Sequence, residues 1–148
     1  MSMRLESTAF TDGGRLPTKY TCDGENIHPP LQWFDVPSEA RRLVLVMEDV
    51  DSYAGVWVHW IAWNIHPDDT GVSEGVVPEY YKEGKNSFGK LGYGGPCPHE
   101  GDHRYYFRLY ALDERFKVPE GIDWAEYEIE MAGHVVDRAD LMATYSRE

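Results

Sequence analysis

Residues 43–65 read LVLVMEDVDSYAGVWVHWIAWNI: two apolar runs, rich in β-branched and aromatic residues, on either side of a polar break that contains a glycine. Runs of this composition are strands, and they predict one from Leu43 to Glu48 and a second from Trp57 to Ile65. Asp49, Asp51 and Gly55 occupy the break, so the two strands fold back on each other as a hairpin. In the second run Trp57, His59, Ile61, Trp63 and Ile65 alternate with Val58, Trp60 and Ala62. A period of two places each set on its own face. Both faces are apolar, which predicts a central strand covered on both sides.

Working outward, Arg104 to Leu112 (RYYFRLYAL) is a third strand, with Tyr105, Phe107, Leu109 and Ala111 on one face and Arg104, Tyr106, Arg108 and Tyr110 on the other. Its first face meets a core and its second lies nearer solvent. Asp123 is placed to cap a helix from Trp124 to Ala132 that Gly133 stops, with Trp124, Tyr127 and Met131 on one stripe. Val135, Ala139, Leu141, Ala143 and Tyr145 then fall at alternate positions and predict a last strand. Gly and Pro punctuate the chain between short apolar runs, with no repeat and no linker. The expectation is a mainly β fold in one domain, residues 1–148, the length of one ordinary domain.

The formal charge is −12, from 26 acidic against 14 basic residues. A field of that sign repels nucleic acid and anionic lipid, so any anion held here is held by local groups. The first ten residues carry Arg4 and Glu6 and no apolar stretch of the signal-peptide kind, and no run is long enough to span a bilayer; a cytoplasmic location is expected. Cys22 and Cys97 have neither the density of a disulfide scaffold nor the paired spacing of a zinc site. Reduced thiols are the favoured expectation, a bridge the alternative.

The polar residues gather at strand ends. Asp49 and Asp51 follow the first strand, Trp57 and His59 open the second, and Gly92-Tyr93-Gly94-Gly95-Pro96-Cys97-Pro98 with His103 and Tyr105 precede or open the third. Two imidazoles, a tyrosine hydroxyl and the N–H groups of consecutive glycines are the parts of a phosphate or carboxylate cradle. Asp49 would repel a bare anion, so its expected task is to accept a bond from an imidazole and favour its protonated form. His99-Glu100-Gly101-Asp102-His103 matches the zinc-protease pattern literally, but Pro96, Pro98 and Gly101 deny it the helix that pattern needs. Neither a nucleophile elbow nor a phosphate-binding glycine loop of the nucleotide-binding kind occurs. Cys97 near His99 and His103 remains a minor candidate thiolate.

These residues resemble a known family. Tyr20-Thr21-Cys22-Asp23-Gly24-Glu25-Asn26 with Pro29-Pro30-Leu31 and Trp33, the pair Glu48-Asp49-Val50-Asp51 and Trp57-Val58-His59-Trp60, and Tyr93-Gly94-Gly95-Pro96-Cys97-Pro98 with Gly101, His103, Arg104 and Tyr105 are similar in order and content to motifs of the phosphatidylethanolamine-binding (Raf kinase inhibitor-like) family, in its bacterial and archaeal branch. The resemblance implies two antiparallel sheets in a sandwich-like arrangement with short peripheral helices. It also implies a small non-catalytic pocket for phosphate, phosphoethanolamine or carboxylate, with no cofactor and no metal, and a homodimer. Asp49, Asp51, Trp57, His59, Gly94, Gly95, Pro96, His103 and Tyr105 match the pocket positions. Family functions include inhibition of kinases and of serine proteases, so such a protein is an alternative partner. Val50, Ser52 and Tyr53 depart from the family's D-P-D-A-P motif, and Tyr53 is expected to narrow the rim; His28 and His99 stand where smaller residues are usual.

Overall fold

Alternating apolar residues build two antiparallel sheets in the computed structural model, which describes residues 2–147. The smaller sheet has the order β1-β2-β5, from Arg4–Glu6, Leu31–Phe34 and Gly71–Val72. The larger has the order β6-β4-β3-β7-β8, in which β3 is Arg42–Asp49, β4 Trp57–Ile65, β6 Lys82–Glu83, β7 His103–Leu112 and β8 Val135–Tyr145. One α-helix, α1, runs from Trp124 to Met131.

The main core lies between the sheets. Leu43, Leu45 and Met47 of β3, with Phe107 and Leu109 of β7, share it with Leu5, Leu31, Trp33 and Val72 of the smaller sheet. Burying each of the aliphatic side chains fully contributes roughly 1.5–3 kcal/mol. A second cluster covers the opposite face, where Val44, Val46, Ile61 and Trp63 meet Trp124, Tyr127 and Met131 of α1. Strand β3 is therefore buried on both sides, as its unbroken apolar run requires. The helix begins as expected, with the Asp123 carboxylate accepting the Glu126 N–H at 2.8 Å.

Two readings need correction. The register of β4 against β3 slips between Leu43 and Leu45 and again between Met47 and Glu48, so β4 does not keep one alternation from end to end. Ile61 and Trp63 face the helix, whereas Ile65, beyond Asn64 at φ 64°, returns to the inter-sheet core with Trp60 and Ala62. Trp57 and His59 leave the Ile61 face for the side of Asp49 and Tyr105.

The cysteines are the second correction, because Cys22 and Cys97 form a disulfide with Cα atoms 5.5 Å apart. Residues 20–26 and 93–97 interlock: the Cys22 N–H donates to the Pro96 carbonyl, the Gly95 N–H to Asn26 Oδ1, and the Tyr93 hydroxyl to the Tyr20 carbonyl. Spacing along the chain carried no trace of that meeting. Cys97 is consequently no thiolate nucleophile. Among the described residues no helix is long and apolar enough to cross a membrane.

Candidate functional site

Three strand ends converge at one end of the larger sheet. β3 finishes at Asp49, β4 opens at Trp57 and β7 at His103, and antiparallel pairing sets Trp57 and Tyr105 on either side of Asp49. A cavity of about 450 Å³ opens beside them, within the size range of small-molecule sites. The strands supply Asp49, Trp57, His59, His103 and Tyr105 to its walls, and the β3–β4 connection supplies Asp51, Ser52, Tyr53 and Ala54. Phe88 and the stretch Cys97, Pro98, His99 and Glu100 complete them.

The two imidazoles are held differently. His103 donates from Nδ1 to Asp49 Oδ2 at 2.7 Å, and the other Asp49 oxygen accepts the Asp51 N–H at 2.8 Å. Asp49 thus orients an imidazole, the task read from its sequence position. His59 donates from Nδ1 to the Gly94 carbonyl, while the Gly94 N–H donates to the His59 carbonyl at 2.9 Å. Burial pushes the His59 imidazole below its ordinary pKa, and the Gly94 carbonyl and Asp49 only partly offset this. His59 is therefore a neutral ring at neutral pH. Its Nδ1 carries the proton, since a carbonyl can only accept, and Nε2 is left as an acceptor.

Tyr105 packs against both, edge-on to His59 with ring centroids 5.4 Å apart and stacked on His103 at 6.2 Å. Burial, with Asp49 and Asp51 nearby, raises its pKa well above the ordinary phenol value, so its hydroxyl stays protonated. Asp51 faces Arg104: its carboxylate accepts from the Arg104 N–H at 2.8 Å and from Nε and Nη2 at 2.9 Å. Those bonds hold its pKa below the usual carboxylate range.

Gly94, Gly95 and Pro96 sit behind the cavity and are not among its lining residues. The N–H groups expected to cradle an anion are spent, on His59 at Gly94 and on Asn26 at Gly95. Their need for glycine is one of close approach. A Cβ on Gly94 would stand 2.8 Å from the Phe88 ring, and one on Gly95 would stand 2.4 Å from both the Tyr20 carbonyl and Asn26 Oδ1. Tyr53 does not narrow the opening; it belongs to the rim but is 96% exposed. The His99–His103 segment is a bend running into β7, so the two histidines are not one helical turn apart.

Phe88 was not read from the sequence, and Glu100 was read there only as part of the rejected zinc-protease pattern. Phe88 packs edge-on against Trp57 at 5.4 Å and His59 at 5.3 Å. Its loop is shaped by buried Asn86, whose amide donates to the Gly92 carbonyl at 2.9 Å and whose Oδ1 accepts the Phe88 and Lys90 N–H groups. The only trace in the sequence is Asn86 close before Gly89, an ordinary turn signal.

The fold and these residues have relatives. The family model of the phosphatidylethanolamine-binding protein matches residues 6–146. A UPF0098 protein of Methanothermobacter thermautotrophicus is 47% identical over 98% of this chain and 99% of its own length. One from Chlamydia muridarum is 41% identical over 99% of this chain and 100% of its own. Among solved structures, a phosphatidylethanolamine-binding protein homologue from Chlamydia trachomatis, CT736, superposes with a TM-score of 0.94 at 41% identity, covering 99% of both chains. Escherichia coli YbcL, 24% identical, shares the fold with a TM-score of 0.93 over the full length of both chains. By sequence and by architecture, the chain belongs to the phosphatidylethanolamine-binding protein family.

Proposed function

We propose that this chain is a binding module for a small oxyanion, a phosphate, a phosphorylated head group or a carboxylate, and that it carries out no chemistry on it. The observation that carries the reading is the convergence of His59, His103 and Tyr105 on one cavity, with Asp49 behind His103. A carboxylate bonded to Nδ1 fixes the orientation of the His103 ring beside the cavity, and the Tyr105 hydroxyl supplies a donor. The disulfide supports a non-catalytic role, since it removes the one thiol that lay near a histidine.

A few hydrogen bonds of this kind hold a bare anion only at about micromolar to millimolar strength. The test is an NMR titration with inorganic phosphate and with phosphoethanolamine. Shifts of the His59 and His103 ring resonances and of the Trp57 indole are expected, and an undisturbed spectrum at millimolar ligand would refute the reading. One observation favours a second role, inhibition of a kinase or serine protease by surface contact: Tyr53 projects from the β3–β4 connection 96% exposed. That role predicts inhibition lost in Tyr53→Ala and kept in His103→Ala.

A further inference from the structure

We propose that the Cys22–Cys97 bridge is a thiol-exchange site: a low-molecular-weight thiol joins Cys22 as a mixed disulfide and frees Cys97 in the cavity wall, while the fold holds.

The two cysteines sit in unlike places. Cys22 is exposed on the loop of residues 20–26, whereas Cys97 is half-buried and lines the cavity. Access decides which sulfur a thiolate attacks, and exposed disulfides are the labile ones. The incoming thiolate forms a new S–S bond at Cys22 Sγ. The Cys22–Cys97 bond breaks, and its electron pair leaves on Cys97 Sγ, which takes a proton from solvent. The added thiol is oxidised and Cys97 is reduced.

The two segments do not depend on the bridge to stay together. The Cys22 N–H reaches the Pro96 carbonyl at 3.1 Å, the Gly95 N–H reaches Asn26 Oδ1 at 2.8 Å, and the Tyr93 hydroxyl reaches the Tyr20 carbonyl at 2.7 Å. Asp23 is anchored from elsewhere, accepting from the Tyr145 hydroxyl at 2.7 Å and from Arg147 Nη2 at 2.9 Å. The backbones pack so closely that a Cβ on Gly95 would stand 3.0 Å from Thr21 Cα. None of these contacts involves a sulfur atom, so they survive exchange and keep Cys97 beside the new adduct. Attack by the Cys97 thiolate on Cys22 Sγ is then intramolecular, at high effective concentration; it expels the small thiol and restores the bridge. Exchange thus reversibly adds a thiol to a wall that also holds His99 and His103, where the bridged chain has none.

The experiment treats the intact, bridged protein under native conditions with cysteamine, whose ammonium group suits a chain of formal charge −12. Iodoacetamide caps the freed thiols at early times, and peptide mapping by mass spectrometry locates both labels. Cysteamine on Cys22 with the cap on Cys97 is expected to exceed the reverse pattern roughly tenfold, in a chain that keeps its near-ultraviolet circular dichroism. Removing the free thiol is expected to restore the bridge with loss of cysteamine. Adducts shared evenly or placed on Cys97 would overturn the proposal. So would a bridge that reacts only once denaturant has unfolded the chain, a modified chain that loses its tertiary signal, or an adduct that does not reclose.

Discussion

Burial fixes the protonation of His59 before any ligand arrives, and that has a consequence for stability. The folded ring ionises below its ordinary value of 6.5, so on acidification the unfolded chain takes up this proton first. The group's contribution is complete above about 6.5 and is lost as pH falls from there through the depressed folded value. Wild type is expected to lose more stability than His59→Gln between neutral and mildly acidic pH, as measured by denaturant unfolding; parallel losses would count against a buried neutral ring. Asp49 acts on the other imidazole. Asp49→Asn keeps an oxygen for the Asp51 N–H but removes the charge behind His103, and phosphate affinity is expected to fall roughly tenfold, with the melting temperature reporting whether the fold survives. At this scale the sequence was informative where a polar residue ends a strand, since position alone carried Asp49, Trp57, His59, His103 and Tyr105 to one place. Phe88 escaped because nothing in its own neighbourhood announces a wall built against a residue 29 positions away, His59.

Strands β3, β4 and β7 were legible because apolar alternation is a local property of the chain. The two register slips in β4 were not, because a bulge adds one residue without changing composition and reverses every face beyond it. The helix shows the opposite case: cap, stripe and stop all lie within a few residues of one another. Removing the cap with Asp123→Ala is expected to cost about 1 kcal/mol in chemical denaturation. The turn at 92–97 is set by contact with residues 20–26, invisible until the chain is closed. There Gly95→Ala would drive a methyl group to 2.4 Å from the Tyr20 carbonyl, and a loss of about 1–3 kcal/mol is expected. Gly94→Ala clashes with the movable ring of Phe88 at 2.8 Å and touches Asn86 Nδ2 at 3.4 Å, so it should alter the cavity wall, seen as changed Trp57 fluorescence, more than the melting temperature.

Taken whole, the molecule is a sandwich whose cavity at the strand ends is closed on one side by a covalent bond. Cys97 lines that cavity and Cys22 stands 75 positions earlier in the chain. Bridging so wide a span restricts the unfolded ensemble, and reduction is expected to lower stability by roughly 2–4 kcal/mol, read as a drop in melting temperature with reductant that a Cys22→Ser, Cys97→Ser double variant no longer shows. The bridge also reaches past the solvent-facing residues 53–56 of the β3–β4 connection, which lie between its two ends. A protease that nicked the backbone after Tyr53 would therefore sever the polypeptide without parting it. The two pieces would migrate as one band on a gel run without thiol and separate only once thiol was added, so scission at the mouth of the cavity would leave a two-chain protein with the residues of both cavity walls still joined.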